Sequence, residues 1–245
     1  MTIWSNPPSP SADCTLYWLC TAEVQAALPL ARRWLDQEEA QRAARFVFEE
    51  HRNDFLASRL LTRGVLAAYT DQPPEQLRFS RSPTGKPALA GAEFVFSLSH
   101  SHGVCALLVS ATGRVGVDIE CRQTKRADIS IAEHYFDPRE YRWILLGQDL
   151  SDRYRRFLII WTLKEAVLKA EGSGLSLPLD SVAVQLEDDS SVRFLAVPES
   201  LREKNLHGGL IDLDADVLCS WVRTGQGHVA PPSVTRLRLK EIQKQ

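Results

Sequence analysis

The sequence is short of several things, and each shortage closes off a class of protein. No apolar run approaches the roughly 18–20 residues that span a bilayer, so no transmembrane helix is expected. The five cysteines (Cys14, Cys20, Cys105, Cys121, Cys219) lie far apart with no Cys-x-x-Cys pair. An odd, scattered set is neither a disulfide framework nor a zinc site and reads as reduced thiols. Basic residues show no excess: 29 Lys and Arg stand against 31 Asp and Glu, a net charge of −2. A protein built to grip a nucleic acid backbone normally carries such an excess. From Met1 to Cys14 there is no basic residue and no apolar segment of the kind a secretory signal needs. Repeats at a 20–50-residue period and low-complexity tracts are also missing. The expectation is a soluble, cytoplasmic protein. What is present is 245 residues, 44% of them apolar, enough for a sizeable core in one large domain or two small ones.

Residues 1–13 are rich in Pro and Ser and are expected to meander over the surface. Helical spacing appears over 36–50 and 52–69; in the second, Phe55, Leu56, Leu60, Val65, Leu66 and Tyr69 recur while Arg59 and Arg63 sit one turn apart. After the turn Gly85-Lys86-Pro87 the pattern changes to strands over 94–100, 103–110 and 115–120, with a turn at 111–114. Helices are predicted over 138–150 and 152–171, the second stopped by Gly172-Ser173-Gly174. Strand-like pieces follow at 182–187, 192–197 and 217–223, then a polar, basic tail. Each half holds helices plus a few strands, which predicts an α+β chain of two similar lobes joined near 111–114.

Four segments could carry chemistry. In Val115-Gly116-Val117-Asp118-Ile119-Glu120, strand alternation buries Val115, Val117 and Ile119 and leaves Asp118 and Glu120 on the opposite face. Their Cα atoms would lie about 7 Å apart, suited to sharing a hard cation such as Mg²⁺. The plainer reading is a solvated acidic face. Trp161, Glu165 and Lys169 fall at i, i+4 and i+8, one stripe of a helix. They are either a surface ion pair with an aromatic neighbour, or a metal ligand or base beside a phosphate-binding lysine. In Ser97-Leu98-Ser99-His100-Ser101-His102, hydroxyls and imidazoles at a strand end can donate to phosphate oxygens. A hydrolase reading is weakened because the segment has no Gly-x-Ser-x-Gly elbow, and His102 reads as a strand-end cap. Arg81-Ser82-Pro83-Thr84-Gly85-Lys86-Pro87 lets backbone amides approach an anion beside one of only seven lysines, yet it is not a P-loop. Arg42 and Arg45, before Phe46-Val47-Phe48, are either a phosphate clamp or the solvated side of a helix.

Taken in order, Gly85-Lys86-Pro87, Phe96-Ser97-Leu98-Ser99-His100-Ser101, Gly116-Val117-Asp118-Ile119-Glu120, and Trp161-x-x-Lys164-Glu165-Ala166-x-x-Lys169 followed by Gly172-x-Gly174-Leu175 resemble the 4′-phosphopantetheinyl transferases. The match is to the Sfp-type branch, and the Trp before Lys-Glu-Ala resembles its W/KEA subgroup; it runs from about residue 36 to 187. The resemblance implies two pseudo-repeated α+β lobes with an active site at their interface. Residues 1–112 would form the coenzyme A nucleotide side, and 113–245 would carry the metal and catalytic motifs. It implies transfer of the phosphopantetheine arm of coenzyme A to a serine of an apo acyl or peptidyl carrier protein, with Mg²⁺, releasing 3′,5′-ADP. The metal carboxylates fall on Asp118, Glu120 and Glu165, and the catalytic pair on Glu165 and Lys169. Coenzyme A contacts fall on Arg42, Arg81, Gly85, Lys86, Ser97, Ser99, His100 and Lys169, with Arg45 a neighbouring position.

This chemistry is coherent with the residues. Splitting a pyrophosphate asks mainly for positioning and charge neutralisation, which carboxylate-held Mg²⁺ supplies. Glu165, directly or through a metal-bound water, would take the proton of the carrier serine. Lys169, Lys86 and His100 would stabilise phosphate charge, and Trp161 would pack the helix and line the site. The carrier is expected to be acidic around its serine, and Arg122, Lys125 and Arg126 either meet that surface or form a solvated basic loop. No nucleic acid or membrane partner is expected, and the two-lobe chain should act as a monomer. The rivals are a metal-dependent phosphohydrolase on the same carboxylates, and a degenerate homologue that binds coenzyme A or a carrier without transfer.

Overall fold

The structure is a computed structural model that describes residues 3–10, 13–82, 85–122, 129–172, 177–227 and 229–240. Its first half contains β1 (Cys14–Cys20), α1 (Leu28–Trp34), α2 (Gln37–Arg45), α3 (Glu49–Thr70), the hairpin β2 (Phe79–Arg81) and β3 (Pro87–Leu89), then β4 (Val95–Ser101) and β5 (Val104–Ser110). The second half contains β6 (Val115–Cys121), α4 (Ser130–Tyr135), α5 (Pro138–Leu145), α6 (Leu150–Glu171), the hairpin β7 (Ala183–Leu186) and β8 (Val192–Ala196), then β9 (Leu206–Asp214) and β10 (Val217–Thr224). The two halves repeat one order: a strand, three helices ending in a 22-residue one, a short hairpin, and an antiparallel pair. Within the sheets the order also repeats, β1-β5-β4 in the first and β6-β10-β9 in the second. The α+β chain of two similar lobes is thus present.

The element boundaries follow from local chemistry. Asp36 caps α2 through a reciprocal capping box with Glu39, and Asp137 does the same for α5 with Glu140, with Pro138 at the first helical position. The helix expected over 36–50 breaks at Phe46, which turns extended and places its ring 5.6 Å from Phe55. Likewise α5 ends at Leu145, and α6 starts where the Asp149 side chain accepts from the Asp152 amide. The last strand, β11 (Ser233–Arg236), pairs in parallel with β1, and Leu237 joins the first lobe's core. The end of the chain therefore crosses back over the boundary drawn at residue 113. Among the described residues, no helix is long and apolar enough to cross a membrane.

Long helix and sheet share a core in each half. Leu56, Leu60 and Leu66 of α3 pack with Leu19, Phe96 and Leu107; Leu163, Val167 and Ala170 of α6 pack with Leu218 and Val222. A third core joins the two sheets, with Leu16, Trp18, Ala106 and Leu108 against Val117, Ile119 and Trp221. Each fully buried Leu, Val or Ile contributes about 1.5–3 kcal/mol relative to exposure.

One feature packs the second half closely, and another brings the two halves into register. Gly116 lets α6 lie directly on β6: a Cβ there would sit 1.8 Å from the Ala166 carbonyl oxygen. The second is a seam along β4. The Val117 amide donates to Ser97 Oγ (3.2 Å) and the Ile119 amide to Ser99 Oγ (3.3 Å), so β6 runs parallel to β4, joined by serine hydroxyls.

Candidate active site

Helix α3, the β2–β3 hairpin, β4 and the end of α6 enclose a cleft of about 520 Å³, within the range of small-molecule sites. Arg42, Arg59, Arg81, Lys86 and Lys169 line it against Asp36, Glu38 and Glu39. The acidic set is already committed. Glu39 Oε2 lies 2.6 Å from the fully buried Arg63 guanidinium and its Oε1 3.3 Å from Arg59, while Asp36 Oδ2 is 3.2 Å from Arg63. Glu38 approaches Arg81 at 3.6 Å. A chain of net negative charge thus presents a cationic cleft. Arg42 and Arg59 lie over the Phe55 ring at 5.3 and 5.4 Å, so one aromatic ring contacts both guanidiniums.

Seven residues that the resemblance pointed to line this cleft: Arg42, Arg81, Gly85, Lys86, Ser97, His100 and Lys169. Gly85 has φ +89°, which favours glycine, and its carbonyl accepts from Arg81 at 3.4 Å. The Lys86 ammonium reaches across to the second half and donates to the carbonyls of Val115 (3.1 Å) and Lys169. Burial, with the nearby Arg114 charge, pushes its pKa down to about 8. His100 is held below the usual imidazole value by partial withdrawal from water and then by the Lys169 charge. Ser97 and Ser99 are buried, and their hydroxyls are engaged on β6. Arg45 is exposed and does not line the cleft.

The carboxylates lie where α6 crosses β6. Lys169 Nζ is 2.7 Å from Asp118 Oδ1, which Ser99 Oγ also approaches at 2.8 Å. Ser101 Oγ donates to Glu120 Oε2 at 2.8 Å. Asp118 is buried and Glu120 half-buried, so this is not a freely solvated acidic face. Glu165 carries a buried Oε1 without a hydrogen-bond partner among the described residues. Its pKa is raised by burial first and by the Asp118 charge second; Glu120 is raised by burial, with Asp118 adding to it. Among the described residues no group of three or more His, Cys, Asp or Glu is already arranged around a metal position. The donor set nevertheless suits a hard cation: oxygen ligands, three carboxylates against one ammonium, and one orphaned buried oxygen. Trp161 sits in a ring stack, 5.9 Å from Phe157, which in turn lies 5.5 Å from Phe136.

Several of these residues escape sequence reasoning. Arg59 and Phe55 belong to the cleft; their only sequence signal is the Arg59–Arg63 stripe on an apolar helix. Lys164, beside Glu165, points the other way. Its fully buried ammonium lies 2.7 Å from Glu140 and donates to the carbonyls of Leu179 (3.0 Å) and Val182. Arg122 is tied to Asp212 at 2.7 Å, while Lys125, Arg126, Gly174 and Leu175 lie outside the described residues.

Comparison with known proteins covers both halves. Residues 22–113 match the family model described as 4′-phosphopantetheinyl transferase, N-terminal, and residues 114–215 match that of the 4′-phosphopantetheinyl transferase superfamily. The chain is 34% identical over 170 residues to 4′-phosphopantetheinyl transferase HetI of Nostoc sp., covering 67% of this chain and 70% of that one. It is 32% identical over 168 residues to 4′-phosphopantetheinyl transferase Sfp of Bacillus subtilis, covering 68% and 73%. A phosphopantetheinyl transferase of Thraustochytrium sp. is 34% identical over 175 residues, covering 66% and 60%.

Proposed function

This chain belongs to the 4′-phosphopantetheinyl transferase superfamily, transferases that move the phosphopantetheine of coenzyme A to carrier proteins, and from that premise we propose how its residues perform the transfer. The observation that carries the reading is the meeting of Lys169 and Asp118 at 2.7 Å, where the cationic cleft reaches the carboxylates of β6 and α6. The cleft binds the nucleotide end of coenzyme A. Arg42 faces its phosphates from α2, Arg59 from α3, Arg81 and Lys86 from the hairpin side, and His100 donates from β4.

Asp118, Glu120 and Glu165 would hold Mg²⁺, which when bound supplies neutralisation of pyrophosphate charge. The protein's own part is positioning and proton transfer. The Oγ of a carrier serine attacks the phosphorus that bears the pantetheine arm and forms the new O–P bond. The bridging P–O bond breaks, and its electron pair leaves with 3′,5′-ADP. The serine proton passes to Glu165, whose buried Oε1 has no hydrogen-bond partner among the described residues and is free to accept it. Lys169 and Lys86 compensate charge on the phosphates, a preorganised electrostatic contribution.

Intact-protein mass spectrometry of apo acyl- and peptidyl-carrier proteins, incubated with the chain, coenzyme A and Mg²⁺ beside an EDTA control, tests this. The expected result is a mass gain of one phosphopantetheine arm with Mg²⁺ only. A gain that persists in EDTA refutes the metal requirement, and Glu165→Gln at full transfer rate refutes the base.

A further inference from the structure

Three serines alternate along β4, and their hydroxyls do different things. Among the described residues, Ser97 Oγ meets only the Val117 amide, at 3.2 Å. Ser99 Oγ accepts from the Ile119 amide at 3.3 Å and donates to Asp118 Oδ1 at 2.8 Å. Ser101 Oγ donates to Glu120 Oε2 at 2.8 Å, with Nδ1 of His102 2.9 Å away. Because β4 and β6 run parallel and each has a side-chain period of two, one register matches both pairs at once. A serine hydroxyl has one proton. Given to a carboxylate, it is not available to a phosphate oxygen, and Ser99 and Ser101 are only 4% and 9% exposed. Asp118 Oδ1 also takes the Lys169 ammonium. The second oxygen of each carboxylate accepts no hydrogen bond from a described residue.

We infer that Ser99 and Ser101 are positioning residues for Asp118 and Glu120: each fixes one carboxylate oxygen and leaves the other for the divalent cation. Their hydroxyls are then not coenzyme phosphate ligands, the role that the family resemblance suggested for Ser99. This rests on the reading that Asp118 and Glu120 hold that cation. Outer partners that orient ligating carboxylates typically govern metal affinity by about 10–100-fold. Such an effect is distinct from the strength of the seam itself, to which Ser97 also contributes.

The test uses Mn²⁺ as probe, titrated into the full chain with coenzyme A and followed by the electron paramagnetic resonance of free Mn²⁺. Coenzyme A binding is measured separately by calorimetry in EDTA. Ser99→Ala and Ser101→Ala should each lose about tenfold or more in Mn²⁺ affinity while coenzyme A affinity in EDTA is unchanged. Ser97→Ala, which loses a seam bond but touches no carboxylate, should bind Mn²⁺ like the wild type. Ser101→Thr, which keeps the hydroxyl, should restore binding; should Ser99→Ala not fold, the Ser101 pair carries the comparison. The inference is overturned if Ser99→Ala weakens coenzyme A in EDTA and leaves Mn²⁺ affinity intact. It is also overturned if Ser97→Ala loses as much Mn²⁺ affinity as the other two. Ser99→Ala or Ser101→Ala binding both ligands like wild type overturns this inference alone, whereas a wild type that binds no Mn²⁺ overturns the cation reading beneath it.

Discussion

Replacing Lys164 by methionine removes one partner of a buried ion pair at nearly constant volume, so the loss is one of charge and hydrogen bonds. The Lys164 and Glu140 side chains are 0% and 1% exposed and 2.7 Å apart. The ammonium also satisfies the carbonyls of Leu179 and Val182 and lies 4.8 Å from the centre of the Phe136 ring. Removing one partner of such a pair costs about 3–5 kcal/mol. Here the lower end applies. Glu140 keeps the amide donors of Val184 (2.8 Å) and Asp137 (2.9 Å), and burial already raises its pKa, so protonation relieves part of the stranded charge. A loss of about 3 kcal/mol should lower Tm by about 6–12 °C in a chain of this size. Urea unfolding followed by circular dichroism measures it, and a double-mutant cycle with Glu140→Gln isolates the coupling. Coenzyme A affinity of the folded variant should not change, because Lys164 faces away from the cleft. A loss under about 1 kcal/mol, or no coupling to Glu140, would refute the argument that this lysine anchors α6 beneath the site.

Three further outcomes are expected. Gly116→Ala should prevent stable packing of α6 on β6, because the new Cβ would meet the Ala166 carbonyl oxygen at 1.8 Å and that atom is backbone; soluble yield and thermal unfolding report it. Lys86 titrates at about 8, so coenzyme A affinity should fall as pH rises through 8, and Lys86→Met should abolish that dependence in calorimetry. Between pH 8 and the ordinary lysine value of 10.5 the unfolded chain holds a proton that the folded chain has released, so this group adds stability as pH rises across that window. Asp137 has its pKa lowered from 3.8 to about 2, chiefly by the Arg139 side chain, so its contribution is present above 3.8 and lost as pH falls toward 2. Asp137→Ala should cost about 1 kcal/mol as a lost helix cap and flatten acid unfolding over that range.

Local patterns account for much of the architecture. Val115, Val117 and Ile119 are buried as their alternation requires, and Asp118 and Glu120 share the opposite face. The long helices read correctly because apolar stripes at helical period must find a core. The family itself was legible because four short motifs occur in one order, and the comparisons bear it out.

What the sequence by itself determined, then, is the period of each element, the identity of the family, and the residue types gathered around a pyrophosphate chemistry. Tertiary structure alone decided which of two neighbouring side chains does what. Lys164 and Glu165 are adjacent in sequence, yet the helical turn between them sends one to Glu140 and the other toward Asp118. Ser97, Ser99 and Ser101 look alike on β4, and only the register against β6 separates an amide partner from two carboxylate partners. Arg59 enters the cleft because Phe55 and Glu39 hold it there, and β11 returns to the first sheet because β1 would otherwise keep an open edge. Apart from the one-turn Arg59–Phe55 contact, each of these depends on contacts between residues 19 or more apart in the chain, where no local period carries the information.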